Sequence, residues 1–470
     1  MGGSAGCADD NAVVFQWNQV EYENLPQPAD SLVGPYQYFI PENNDIVGLG
    51  YHPASGLMFA VLDRLRPGIP ASIAAFCING LKIGSSPKFW AFPNFEIQAL
   101  RAEDFEGKSR QVEEILQLND SSTNQGPINY IWPQPIRPIY ATPPKPPTPI
   151  TPIPVDNSSD FRIISTFEVV VDEKCNRALF VDAGMVEYYN VSFVIQKPAL
   201  VIYDLPFDGC ENRTFQAIRR VEFPNNLATM NPFTNFHMTL DYQSSDCDDL
   251  YIYIANFCGH FLVVYDYKTN EFWYYTGHPS FQPIAAESYI VYDETLDFIL
   301  QAGIYSVALS FPDRYGNRIA YYIAGASTAQ YAVSTKVLKN RTKSPRNYHP
   351  NDFRIYGYRG SNTQTSRMVF DYTNRVIFYA ELQSRRVSCW NVNKPLNPDN
   401  IGVVFETDQP FFPLSMFIDS RGYLWFSTGR LPYMYFTNNP IDLSKTNFYF
   451  FRIKIRDVIN GTVCENTNQL

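Results

Sequence analysis

A chain of 470 residues, 45% of them hydrophobic and 16% aromatic, can bury one large repeat domain or two to three average ones. Its 35 Phe and 32 Tyr suit pleated, half-buried surfaces, so a β-rich fold is expected. A formal charge of −10 and a pI near 5.1 exclude the basic footprint needed for nucleic acid or an anionic membrane, and favour a neutral or cationic small ligand.

The opening "MGGSAGCADD" lacks the apolar stretch of a signal peptide, and no run approaches the roughly 18 apolar residues of a membrane span. Eight cysteines, none in C-x-x-C spacing, accompany sequons at Asn119, Asn157, Asn190, Asn212, Asn340 and Asn460. Together they point to a secreted, extracellular, glycosylated protein whose leader has been removed, with residues 1–12 a tail or cloning remnant.

Along the chain one pattern recurs. "IVGLGYHPASGLMFAVLD" from Ile46 reads as strand, tight turn, strand. "AEDFEGKSRQVEEILQLN" (102–119) reads as a helix, with Val112, Ile115 and Leu116 among charged residues. Residues 133–154 hold ten of the 35 prolines, a density that forbids ladder hydrogen bonds and favours an extended polyproline II strip. That strip reads either as a semi-rigid surface loop or as a docking segment for an aromatic groove. The strand–turn–strand pattern then returns in "FEVVVDEKCNRALFVDAG" from Phe167 and "HMTLDYQSSDCDDLYIYIANF" from His237. It recurs in "YSVALSFPDRYGNRIAYYIAG" from Tyr305, "MVFDYTNRVIFYAE" from Met368 and "MFIDSRGYLWFS" from Met416.

Residues at the turn mark six copies: His52, Asp172, Asp241, Ser310, Asp371 and Asp419. The last four intervals, 69, 69, 61 and 48 residues, each hold four short strands. One such sheet cannot cover both its faces, whereas radial packing about an axis can. The sequence therefore predicts an all-β, six-bladed β-propeller with four-stranded antiparallel blades over residues 13–464, interrupted by the helix and Pro-rich insert (102–160), with 465–470 a tail. A pair of β-sandwiches is the rival architecture.

No G-x-S-x-G elbow, phosphate loop or H-E-x-x-H is present. The five histidines lie more than four residues apart, so neither metal nor cofactor is expected, and His278 in "TGHPS" is read as ordering a turn. Propellers bind ligands where strand ends converge on the axis. Polar and aromatic residues following the second strand of each repeat are therefore candidates: Asp182, Glu187, Asn256, Phe257, Glu381 and Arg430. Individually each is as well explained by a structural hydrogen bond or a solvated charge. Jointly, carboxylates beside an aromatic ring suit a protonated amine, and Glu381, Asp182 or Glu187 could act as a base.

Several stretches carry a resemblance to the yellow / major royal jelly protein family of secreted insect proteins. They include "FQWNQVEYENLP", "RPGIPASIAAF", "VVDEKCNRALFVDAGMVEY", "AQYAVSTKVLKN", "SNTQTSRMVFD", "RRVSCWNVNKPL", "SKTNFYFFRIK" and "NGTVC", in family order over nearly the whole chain. The Pro-rich insert is not a feature of that family. The resemblance implies a six-bladed propeller and two disulfides, Cys175–Cys247 and Cys389–Cys464, the second clasping the end of the chain to the preceding blade. Cys210–Cys258 is a further expected pair, leaving Cys7 and Cys77 unassigned.

The resemblance also implies two functional readings. One is a secreted propeller tied to melanin or catecholamine biology. It would bind a small aromatic amine or catechol-derived ligand in its channel, or serve structurally among matrix, cuticle or eggshell proteins. The other is an enzyme similar to the dopachrome-converting members. Where amine-binding members carry Thr, Asn and an aromatic residue, this chain has Leu414, Gly429 and Leu431.

Overall fold

The structure, a computed structural model, describes residues 12–26, 39–105, 162–188, 191–228, 236–293, 295–409, 411–437 and 440–466. Six four-stranded antiparallel sheets stand around one axis as a six-bladed β-propeller. Blade 1 comprises Ile46–His52, Leu57–Leu62, Ile73–Cys77 and Trp90–Ala91, from the axis outward. Blade 2 comprises Val170–Asp172, Arg177–Asp182, Ala199–Asp204 and Ala217–Glu222, and blade 3 runs from Phe236–Tyr242 to Glu271–Thr276. Blade 4 runs from Ile304–Leu309 to Arg354–Tyr358, and blade 5 from Thr365–Asp371 to Ile401–Glu406.

Blade 6 takes Met416–Ile418, Tyr423–Thr428 and Phe448–Lys454 from the end of the chain and its outer strand, Val13–Trp17, from the beginning. Phe15 lies opposite Phe450 and Trp17 opposite Phe448. The ring is thus closed by a hydrogen-bonded ladder. The expected covalent clasp is present beside it: Cys389–Cys464 ties the segment after the last strand back to the preceding blade, blade 5.

Each turn residue singled out in the sequence lies within one residue of the end of an inner strand, and most of them shape the hairpin to the second strand; Asp241 instead accepts from Tyr253 Oη at 2.8 Å and from Arg318 Nε of blade 4 at 2.9 Å. Asp419 Oδ1 accepts from the backbone N–H of Arg421 and Tyr423, and its Oδ2 accepts from Trp425 Nε1 at 2.9 Å. Asp371 accepts from Thr373 N–H, while His52 Nδ1 stands 2.8 Å from Ser55 Oγ. These short side chains substitute for backbone partners in the turn, which is why Asp recurs there. Gly422, at φ +76°, supplies the left-handed residue that closes the Asp419 turn.

Two further two-stranded hairpins, Met185–Tyr188 with Val191–Val194 and Tyr289–Val291 with Asp297–Ile299, lie outside the blades. Of the expected 102–119 helix, Ala102–Phe105 forms a single 3₁₀ turn; the rest of it, the Pro-rich strip, and Cys7, Asn119, Asn157 and Asn190 lie outside the described residues.

Cys175–Cys247 joins the inner-hairpin turns of blades 2 and 3. The expected Cys210–Cys258 pair is corrected. Cys210 bonds Cys77, linking blade 1 to the segment between the third and outer strands of blade 2, and Cys258 is buried and joined to no other described cysteine. The partners are separated by 133 residues, and only the wrap of blade 2 against blade 1 brings them together.

A candidate ligand site on the propeller axis

Alignment of the six copies on their turn markers picks out one recurring position, four residues upstream, near the start of each inner strand. It is occupied by Gly48, Glu168, His237, Ser306, Arg367 and Ser415. The five with side chains are all buried. At this level of the axis adjoining blades are stitched by side chains. Ser306 Oγ bonds Met368 N–H, and Ser415 Oγ donates to Leu49 O at 3.0 Å.

Three of these positions, Glu168, His237 and Arg367, meet in one polar cluster. Glu168 Oε1 accepts from His237 Nδ1 at 2.8 Å, Oε2 accepts from Met238 N–H at 2.8 Å, and Arg367 Nη2 stands 3.5 Å from Oε1. Arg367 Nε also donates to Leu414 O, which leaves its Nη1 buried without a hydrogen bond. Burial alone would raise the Glu168 carboxyl; Arg367, His237 and the two hydrogen bonds outweigh it and hold the group below the usual carboxylate value. An ionised Glu168 fixes the proton of His237 on Nδ1, and Nε2 has no hydrogen-bond partner among the described residues.

Against this cluster lies an axial cavity of about 220 Å³, walled by the inner strands of all six blades. Glu168 and His237 reach its surface among Leu49, Val169, Met238 and Val307. The lining residues toward the ends of the inner strands, such as Val171, Leu240, Val369 and Ile418, are half-buried, so the cavity is wetter toward the inner-hairpin turns. Toward the opposite end the space is much smaller and mainly apolar. Tyr305, Leu382, Phe412, Leu414 and Leu431 surround a void of only about 10 Å³.

That apolar end is where the sequence expectation had placed its candidates. Asp182 is fully buried and accepts from the N–H groups of Ile164, Ser165 and Gly184 and from Gln196 Nε2. Glu381 is held within blade 5 by Arg386 Nε at 2.7 Å and by Ser388 Oγ. Asn256 Oδ1 accepts from Gly259 N–H at 2.5 Å, and Phe257 stacks on Tyr305 at 4.5 Å. Arg430 stands over the Tyr433 ring at 5.7 Å. None of these five lines the axial cavity. Glu187 lies on the Met185–Tyr188 strand, and its side chain is outside the described set.

Leu414 and Leu431 line that small void, and Gly429 adjoins Asp45 instead. His278 caps the Pro279–Phe281 turn by accepting from Ser280 N–H, as its sequence context implied. Asn212, Asn340 and Asn460 are exposed.

The residues that do meet on the axis escaped the sequence reading because each, taken singly, is one polar residue in an apolar strand. Superposing the repeats on their turn residues would have exposed them as a set. Three disulfides are consistent with an extracellular protein. No helix among the described residues is long and apolar enough to cross a membrane.

Comparison with known proteins identifies a family. The family profile described as "Major royal jelly protein" matches residues 164–464. The chain is 32% identical to the yellow-related salivary protein SP03 of Phlebotomus perniciosus over 84% of its length and 97% of the relative's. It is 31% identical to the yellow-related salivary protein LJM111 of Lutzomyia longipalpis, over 64% of this chain and 73% of that one. It is 30% identical to the L-dopachrome tautomerase yellow-f of Drosophila melanogaster, over 66% of this chain and 69% of that protein. With a propeller closed by its own N-terminal strand and this continuous match, the chain belongs to the yellow / major royal jelly protein family.

Proposed function

We propose that the axial cavity binds a small aromatic molecule of the catechol or aminochrome type, and that the Glu168–His237 pair moves a proton on it. The observation that carries this reading is the buried carboxylate–imidazole pair on the cavity surface, with no hydrogen-bond partner for His237 Nε2 among the described residues. A tautomerisation relocates one proton from a ring-adjacent carbon to a heteroatom, with no other atom gained or lost. Nε2 takes the proton, ionised Glu168 stabilises the imidazolium formed, and the same nitrogen returns it. Positioned general-base catalysis of this kind is worth on the order of 10²–10⁴ in rate. The name of one relative, an L-dopachrome tautomerase, supports this choice of reaction class. An extracellular setting in pigment or catecholamine biology accords with the disulfides and with relatives named as salivary proteins.

A second reading is favoured by the wall itself. Leu49, Val169, Met238 and Val307 offer a mainly apolar surface suited to holding an aromatic ring without turnover. One experiment separates the two. Freshly prepared L-dopachrome is mixed with the protein, and the loss of its orange absorbance is followed for wild type and His237→Gln. Acceleration by wild type that disappears in the variant is the expected result. No acceleration, with calorimetric binding of a catecholamine, would replace the enzyme by a carrier; acceleration that survives His237→Gln would remove the assigned base.

A further inference from the structure

Among the described residues that line the axial cavity there is no Lys or Arg, whereas two carboxylates reach its wall: Glu168 at the deep end and Glu173 at the hairpin end. The deep charge is already matched. His237 Nδ1 and Met238 N–H donate to the Glu168 carboxylate, and Arg367 Nη2 approaches it to 3.5 Å without lining the cavity. Glu173 has no ion-pair partner among the described residues. It accepts from the backbone N–H of Ser420 at 3.1 and 3.3 Å, which joins the hairpin turns of blades 2 and 6 and holds the carboxylate at the mouth.

The uncharged polar side chains on the wall give an anion little to bind. Thr239 Oγ1 donates to Val307 O at 2.7 Å, and Ser415 Oγ donates to Leu49 O at 3.0 Å. Tyr51 Oη accepts from Arg421, which itself does not line the cavity. His237 keeps its proton on Nδ1, so Nε2 presents a lone pair and not an N–H. The open edges of the inner strands add N–H and C=O groups in a row, hence donors and acceptors without net charge. Around the mouth, the hairpin turns carry more carboxylates than cations. A carboxylate entering here leaves water without meeting a counter-charge, and that costs far more than burying a hydroxyl.

Resting on the reading that the axial cavity is the ligand site, we propose that it takes uncharged aromatic rings bearing a hydroxyl or ring N–H and excludes their carboxylated counterparts, with Glu173 setting the exclusion. The ring lies against Leu49, Val169, Met238 and Val307, and its outer substituent meets Glu173. A hydroxyl or N–H there donates to that carboxylate; a second carboxylate is repelled by it. Within the aminochrome class, this selects the members that lack a carboxyl group.

The test uses three ligands with one ring: 5-hydroxyindole, 5-hydroxyindole-2-carboxylate and the methyl ester of that acid, which matches its shape without its charge. In calorimetric titrations the ester is expected to bind about tenfold more tightly than the acid. Glu173→Gln should tighten the acid about threefold, the scale of one exposed charge interaction, and move the ester less. Added salt should narrow the gap between acid and ester by screening Glu173. An acid that binds wild type as tightly as the ester does, or a gap that Glu173→Gln leaves unchanged, would overturn the exclusion and leave the axial site standing. A wild type that binds none of the three, or a cavity-filling Val307→Phe variant that binds all three as wild type does, would instead sink the axial reading. Melting curves on each variant confirm that it is folded.

Discussion

His237 Nδ1 and Glu168 Oε1 meet at 2.8 Å across the seam between blades 2 and 3, and Arg367 of blade 5 reaches the same carboxylate. The three come from segments far apart in the chain, so the contact is a seal on the ring as well as a chemical group on the axis.

Replacement of Glu168 by Gln should therefore cost stability as well as function. The change leaves the Arg367 guanidinium buried without its counter-charge, and breaking a buried pair in this way costs about 3–5 kcal/mol. Because the folded carboxyl titrates below its ordinary value of 4.5, its contribution is present at neutral pH and disappears as pH falls below about 4.5 toward the lower folded value. In acid titrations followed by tyrosine fluorescence, the variant should start less stable and lose less on acidification than wild type. Parallel acid profiles would show that Glu168 is not held ionised by its neighbours.

Much of this architecture was legible in the sequence, because each blade must end its inner strand with a side chain that can close a tight turn. Asp172, Asp241, Asp371 and Asp419 announce four of the turns directly, and His52 and Ser310 do the same work with other chemistry. The axial cluster was not legible by the same route. Glu168, His237 and Arg367 become informative only when brought to one level by the ring, whereas Asp182 and Glu381 attracted notice as carboxylates and proved to be saturated by local donors. The Cys77–Cys210 bond was hidden for a related reason. Spacing along the chain carries no record of which loops wrap onto which blade.

Asp45, just ahead of the first blade, should make the fold weaker at neutral than at mildly acidic pH. Neither of its carboxyl oxygens reaches a hydrogen-bond partner in good geometry, and burial pushes the group up to about 7, with the Ile46 N–H and Arg66 only partly offsetting it. With a folded value above the unfolded value of 3.8, the folded state holds the proton more strongly, so stability falls as pH rises between about 4 and 7. Asp45→Asn should remove that slope and raise the melting temperature at pH 8, with little effect at pH 4. Urea melts at the two pH values measure it; an equal shift at both would mean that the carboxyl does not titrate in that range.

The cysteine assignment has a direct chemical readout. Peptide mapping without reduction should recover Cys77 joined to Cys210, while Cys258 should resist alkylation until the protein is unfolded, since a buried thiol is inert. A Cys210–Cys258 peptide, or fast labelling of Cys258 in the native state, would contradict the packing of blades 2 and 3.

The two devices at the ends of the chain should fail differently. Removal of the Cys389–Cys464 bond by the double Ser variant releases a 75-residue loop in the unfolded chain, worth about 4 kcal/mol in the chain-entropy account, without opening the ring. Trp17 is another matter. It is 1% exposed, donates from Nε1 to Pro87 O at 2.8 Å, and packs edge-on against Phe450 at 4.8 Å, so it anchors the outer strand of blade 6. Trp17→Ala should cost about 3–5 kcal/mol through the cavity it leaves. Loss of the strand would also bare the edge of Phe448–Lys454, a template for pairing with other chains. Light scattering during heating distinguishes the two variants: the disulfide variant should melt earlier without aggregating sooner relative to its own melting temperature, and the Trp17 variant should aggregate at the onset of unfolding.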